Sequence, residues 1–109
     1  LDAKITEQVT GTAEIRQVFK VPRVGNVAGC MVRSGVMTRG ARVRVMRDGA
    51  EAYNGKIGTL RRVKEDVREV PSGYECGISI ENFNDIKVGD IIEAYTIIEE
   101  ARTLESVAG

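Results

Sequence analysis

The 109-residue sequence contains no histidine, two cysteines and two prolines, and these scarcities exclude several kinds of site. Cys30 and Cys76 alone cannot form a closed four-ligand zinc site, and they are too far apart in sequence for a Cys-x-x-Cys redox motif. We therefore expect two free thiols and no metal site.

The chain contains few side chains that could act in catalysis. Without histidine, a carboxylate or a thiolate would have to act as the general base, and the neighbouring Glu75 would raise the pKa of the Cys76 thiol rather than lower it. The glycines fit hairpins and match neither a Walker phosphate loop nor a dinucleotide fingerprint. We expect no catalytic residues, although a thiol enzyme stays open as an alternative.

No apolar run is long enough to cross a bilayer, and no signal-peptide pattern is present. These features predict a soluble, cytoplasmic domain with no membrane partner. The chain begins with Leu1 rather than methionine, which suggests a fragment of a longer protein, and we expect the fragment to be monomeric.

The net charge of zero hides a separation of charge along the chain. Residues 16–68 carry 13 Lys and Arg against 4 Asp and Glu, whereas residues 69–109 carry 2 against 9. This asymmetry predicts one basic surface that can meet phosphate, unless folding interleaves the two halves.

Short β-branched segments with Gly-rich turns recur along the chain and predict an all-β fold, a closed six- to seven-stranded antiparallel β-barrel. A strand is expected over residues 9–21 with a bulge near Val18, and tight turns are expected at Asp48-Gly49 and Asn54-Gly55. Residues 1–10 are interpreted as the end of an upstream connection, 11–98 as the barrel, and 99–109 as a tail that forms a helical turn or frays.

Four blocks of sequence carry a family resemblance: Gly11–Pro22, Ala28–Cys30, Gly73–Ile78 and Glu81–Asp90. Together they resemble the C-terminal domain of bacterial translation initiation factor 2. The resemblance implies a barrel similar to the second domain of elongation factor Tu. It also implies that this terminal barrel binds the formylmethionyl-CCA end of initiator transfer RNA. It also implies a ribosome-binding factor whose GTP and magnesium site lies in another domain.

The resemblance implies which residues recognise the acceptor end. It assigns this role to Cys30, Arg62, Glu75, Cys76 and Gly77, and it places a basic residue at Arg61. Val63 departs from the family pattern, in which an aromatic residue commonly follows the basic pair.

The chemistry of these segments is compatible with an RNA end. Arg61 and Arg62 would contact phosphate or ribose, and Gly29 and Gly77 would leave room beside the sulfurs for a methionine side chain. Tyr74 is a candidate to stack on the terminal adenine, but strand alternation favours a buried tyrosine. Three other aromatic residues are expected to pack in the core or at the barrel mouth: Phe19, Phe83 and Tyr95.

One expectation and three alternatives complete this interpretation. Glu75 is expected to pair with Arg61 or Arg62, or to accept the formamide N–H. The alternative for Cys30 and Cys76 is a packing role in the core, and the alternative for the two arginines is a solvated strand edge. The alternative function is a structural or docking barrel of a translational GTPase that contacts the ribosome or its own other domains.

Overall fold

The computed structural model describes the backbone of residues 3–101 and the side chains of residues 5–98, and this part of the chain is folded entirely from strands and turns. The eight strands are β1 (Ala3–Val21), β2 (Gly25–Thr38), β3 (Arg42–Arg47), β4 (Ala50–Arg62), β5 (Glu65–Asp66), β6 (Glu69–Pro71), β7 (Glu75–Ile80) and β8 (Ile91–Ala101). The predicted all-β class is confirmed.

Six of the strands pair in a ring. Their order is β1-β8-β3-β4-β7-β2, and β2 returns to pair with β1. Every pairing in this ring is antiparallel. The short strands lie outside it, with β5 paired to β4 and β6 paired to β2. The ring brings segments that are distant in sequence, such as β2 and β7, side by side.

Alternation along the strands builds one interior. Successive side chains in a strand point to opposite faces, so every second residue in the middle of β2 is buried: Ala28, Cys30 and Val32. Val43 and Val45 of β3 are fully buried in the same way. These residues join a single hydrophobic cluster, and the residues between them face outward.

The first and last strands are longer than the sequence predicts. Residues 3–10, which we expected to be a connection, belong to β1, and residues 99–101, expected to be helical or frayed, belong to β8. The two strands pair as far as Ala3 opposite Ala101. This pairing supplies hydrogen bonds that local propensity does not reveal. Residues 102–109 lie outside the described residues, and the division into domains stays a prediction.

The tight turn at Asp48-Gly49 agrees with its prediction, whereas the turn at Asn54-Gly55 was wrong. Asp48 and Gly49 have φ values of 52° and 79°, as a two-residue hairpin turn requires. Asn54 lies within β4 instead, opposite Arg44. A Cβ at Gly55 would lie 2.5 Å from Cε2 of Tyr53, so this glycine accommodates a ring rather than a turn.

The expected bulge in β1 lies earlier than Val18. The register between β1 and β2 shifts between Thr12 and Ala13 and again between Ile15 and Gln17. Gly35 lies inside β2, where a Cβ would collide with the Thr10 carbonyl oxygen. These irregularities bend the strands where β1 changes partner.

A buried carboxylate holds the connection between β7 and β8. Asp90 is 2% exposed and accepts hydrogen bonds from Arg47 Nε at 3.0 Å and Nη2 at 2.7 Å. It also accepts one from the Lys87 backbone N–H at 3.0 Å. Arg47 donates further to the Asp85 carbonyl at 2.6 Å. These bonds tie residues 85–90 to the end of β3.

Candidate functional site

The eight residues predicted to form a site line one groove of about 1160 Å³. They come from β2, β4, β7 and the turn before β7: Gly29, Cys30, Arg61, Arg62, Tyr74, Glu75, Cys76 and Gly77. The ring order explains the convergence, since β7 lies between β2 and β4. We call this feature the acceptor groove.

Two glycines form the floor of the acceptor groove. Gly29 of β2 is the direct cross-strand partner of Gly77 of β7. A Cβ on Gly29 would lie 2.9 Å from Cε2 of Phe19, and a Cβ on Gly77 would lie 3.2 Å from Cγ1 of Val27. The missing side chains therefore let neighbouring apolar groups lie close to the backbone and keep the floor low.

The two cysteines are brought together, but their side chains belong mainly to the core. Cys30 is the cross-strand partner of Cys76, one position along from the glycine pair. Alternation turns both away from the groove face, and only 2% and 7% of their surfaces are exposed. The structure therefore does not show the two sulfur atoms exposed in a pocket for a methionine side chain.

Both thiols stay protonated near neutral pH. Burial raises the pKa of Cys30 far above its ordinary value. Burial also raises the pKa of Cys76 to about 11, although the Arg62 guanidinium partly opposes this shift. A thiol nucleophile needs a lowered pKa, so neither cysteine has the electrostatics of one.

The adjacent arginines at the end of β4 have different partners. Arg61 Nε lies 3.2 Å from Asp66 Oδ1, because β5 folds back along β4. The Arg62 guanidinium lies over the Tyr74 ring, 4.5 Å from its centroid. The structure does not show the first expectation for Glu75, since this residue makes no ion pair with Arg61 or Arg62. The second expectation, that Glu75 accepts the formamide N–H, stays a prediction. The Glu75 carboxylate in the groove therefore has no cation within ion-pair distance among the described residues.

Tyr74 is half-exposed rather than buried. Strand alternation predicted an inward ring, but Tyr74 precedes β7 and follows Gly73, whose φ is +92°. The alternation of β7 therefore does not extend to it, and 47% of the residue is exposed at the groove wall.

Several groove residues were not predicted as site residues. Arg16 and Phe19 of β1 line the wall, as do Val24 and Val63 from two turns. Phe19, expected to pack in the core or barrel mouth, is 48% exposed, and Val63 is 93% exposed. Large apolar side chains at outward strand positions or in polar turns were the available sequence signal.

The other two aromatic residues assigned to packing do pack. Tyr95 is 3% exposed and donates its hydroxyl to Asn54 Oδ1 at 2.9 Å. Phe83 stacks on Tyr53 with ring centroids 4.3 Å apart. Both lie outside the acceptor groove.

The groove combines positive charge with an apolar floor. The guanidinium groups of Arg16, Arg61 and Arg62 lie on its walls, and their planar donors match phosphate oxygens. The glycine floor and the exposed Phe19 ring suit a small uncharged group. Such a site fits a ligand that is anionic along its length and apolar at its tip.

The described residues contain neither a metal-binding cluster nor a membrane-spanning helix. No group of three or more His, Cys, Asp or Glu side chains there is arranged to hold a metal ion. In the same part of the chain, no helix has the length and hydrophobicity needed to span a bilayer.

Comparison with known proteins places this architecture in a family. Translation initiation factor IF-2 of a Nitratiruptor species is 62% identical over 100 residues, which is 92% of this chain. IF-2 of Chlorobium phaeovibrioides is 55% identical over 104 residues, or 95% of the chain. The chain spans only about 12% of the length of these curated relatives. Residues 25–93 match the family model described as elongation factor Tu domain 2, and the chain belongs to that family.

Proposed function

We propose that the acceptor groove binds the formylmethionyl-CCA end of initiator transfer RNA. The observation that carries this proposal is the convergence of three arginines on a floor made by Gly29 and Gly77. The similarity to IF-2 over nearly the whole chain supports a role in translation initiation.

The arginines would hold the RNA backbone. Arg16 and Arg61 lie on the walls, where each can donate to phosphate or ribose oxygens with more than one N–H. Arg62 already stacks on Tyr74, and the two side chains together would offer a flat surface to the terminal adenine. A base stacked on an aromatic side chain contributes about 1–3 kcal/mol.

The floor would select the blocked amino acid. Formylation removes the α-ammonium charge, which an apolar groove would otherwise have to desolvate. Glu75 would accept the formamide N–H, because no cation among the described residues occupies its carboxylate. Discrimination would then depend on the uncharged floor rather than on Glu75, since a carboxylate alone attracts the free ammonium.

We further infer the setting of this domain in a longer protein. The ring of six strands would be a closed barrel, and the domain would be the C-terminal one of an initiation factor. GTP and magnesium would bind to another domain, and the complete factor would bind the ribosome in the cytoplasm. The domain itself would bind RNA without catalysing a reaction.

Titration with formylmethionyl-adenosine tests the groove without the rest of the transfer RNA. Chemical-shift changes should map to Gly29, Gly77 and Arg62, and methionyl-adenosine should bind at least about tenfold more weakly. Equal affinities for the two ligands would refute the proposal.

A matched pair of variants tests the arginine contribution. Arg62→Ala should weaken binding of formylmethionyl-adenosine. Arg68→Ala removes an exposed guanidinium that lies outside the groove and makes no ion pair among the described residues, and it should leave binding of formylmethionyl-adenosine unchanged. An equal loss in both variants would indicate non-specific electrostatic attraction.

A further inference from the structure

A second group of cations lies away from the acceptor groove. Arg39 follows β2, Arg42 begins β3, Lys56 lies within β4, and Arg68 precedes β6; all four are exposed. We call these four residues the basic patch. None of them lines the acceptor groove.

Backbone hydrogen bonds bring the four residues of the basic patch together. The Arg39 N–H donates to the Arg68 carbonyl at 2.9 Å, and a turn joins Arg39 to Arg42 through the Ala41 N–H and the Thr38 carbonyl. Arg42 is the direct cross-strand partner of Lys56. The patch therefore draws on four separate elements that only the fold makes adjacent.

The charges of the basic patch are not balanced within the described residues. None of its four cations makes an ion pair there, although Arg44 and Arg47, which lie on the same strand as Arg42, both do. Like charges directly opposite on antiparallel strands are destabilising, and Arg42 faces Lys56 in this way. The arrangement is unfavourable for folding alone, which points to an external anion.

Two carboxylates border the basic patch without cancelling it. Glu69 is the cross-strand partner of Thr38, and the Glu81 N–H donates to the Lys56 carbonyl at 2.9 Å. Both glutamates are exposed, and neither is within ion-pair distance of a patch cation. The local balance of charge therefore stays positive among the residues whose side chains the structure describes.

We propose that the basic patch binds the phosphate backbone of a structured RNA. Three of its four cations are arginines, whose planar donors match phosphate oxygens. Among the described residues, no exposed large hydrophobic residue adjoins a patch cation in sequence or faces one as a direct cross-strand partner, whereas the centre of a protein-binding surface is apolar and depleted of charge. These features favour RNA over an acidic protein as the partner.

The patch would contact RNA independently of the acceptor groove. Lys56 and Arg62 lie on the same strand, six residues apart, or about 20 Å along an extended backbone. That spacing allows one RNA to cover both surfaces or two RNAs to occupy them separately. Binding measurements on the patch variant distinguish one RNA that covers both surfaces from two RNAs that bind separately.

The test compares this chain with the double variant Arg42→Gln/Lys56→Gln, using a plain RNA duplex of about 16 base pairs with no aminoacyl end. Fluorescence anisotropy across a salt series should show at least about tenfold weaker binding at about 0.1 M salt, and a salt slope lower by about 2. The melting temperature should stay the same or rise, because the variant removes a like-charge pair.

The control variant Arg33→Gln/Lys87→Gln removes the same charge elsewhere on the surface. It should bind the duplex as the unchanged chain does. Equal losses in the two double variants, or no loss in the patch variant, would overturn the proposal. Binding of polyglutamate as tight as that of the duplex at the same salt would also overturn it, in favour of an acidic protein partner.

Further titrations identify the source of the RNA. If the patch variant weakens binding of formylmethionyl transfer RNA but not of formylmethionyl-adenosine, the patch contacts the body of that same transfer RNA. If it weakens only the duplex, the patch contacts a different RNA. Failure of formylmethionyl-adenosine to bind the unchanged chain would refute the groove proposal and leave the duplex result intact.

Discussion

Replacing Asp90 by alanine should destabilise the fold without weakening the acceptor groove. Asp90 accepts two hydrogen bonds from Arg47, at 2.7 and 3.0 Å, and one from the Lys87 backbone N–H at 3.0 Å. Because only 2% of Asp90 is exposed, water cannot replace the lost carboxylate without a rearrangement.

The expected cost of Asp90→Ala is about 3 kcal/mol. Removing one partner of a buried, hydrogen-bonded ion pair typically costs about 3–5 kcal/mol. The lower end applies because Arg47 keeps the Asp85 carbonyl at 2.6 Å as an acceptor. For a domain of this size, such a loss lowers the melting temperature by roughly 12 °C or more.

Thermal unfolding followed by circular dichroism measures this loss, and Asp85→Ala is the control. The Asp85 side chain is 66% exposed and makes one 3.3 Å contact with Arg47, so its removal should cost under about 1 kcal/mol. Below the melting temperature, Asp90→Ala should bind formylmethionyl-adenosine as the unchanged chain does. Equal destabilisation by the two variants would refute the reasoning.

Three other substitutions probe the groove and its cysteine. Asp66→Asn frees Arg61 from an exposed ion pair, so formylmethionyl transfer RNA should bind a few-fold more tightly. The free energy of unfolding should change by less than about 1 kcal/mol. Weaker binding would contradict this prediction. Gly29→Ala should weaken the binding of formylmethionyl-adenosine at least about tenfold, because the added methyl group raises the groove floor. The melting temperature should change little, since the half-exposed Phe19 ring can turn outward. Unchanged affinity would exclude Gly29 from the floor. Burial raises the pKa of Cys76 to about 11, so its contribution to stability is present below the ordinary pKa of 9.0 and is lost as the pH rises towards 11. The melting temperature of Cys76→Ala should therefore fall less between about pH 8 and pH 10.5 than that of the unchanged chain, and parallel curves would disprove the assignment.

The convergence of the candidate residues was predicted better than the orientation of their side chains. Family-specific blocks identified residues that the structure brings to one groove, including Gly29 and Gly77. The same blocks did not reveal that Arg61 meets Asp66, or that Tyr74 is exposed. Those outcomes depend on where β5 folds back and where β7 begins, and neither boundary has a strong local signal.

The main error in predicting the fold was to make the strands too short. Asn54-Gly55 has the composition of a tight turn, yet it continues β4 because Arg44 and Val43 pair with it. Residues 3–10 show weak apolar alternation and become strand because β8 pairs with them. In both places, hydrogen bonds to a distant strand override local preference.

The sequence by itself determined the all-β class, the hairpin at Asp48-Gly49 and the residue types that a binding site would use. Each of these follows from local chemistry: β-branched alternation, a positive φ that glycine accepts, and clustered arginine. Tertiary structure alone decided that Gly29 pairs with Gly77, that the two sulfurs face the interior, and that Arg42 opposes Lys56. These depend on register between strands, and register is set by the packing of the whole interior, where a slip of one residue would reverse every side chain.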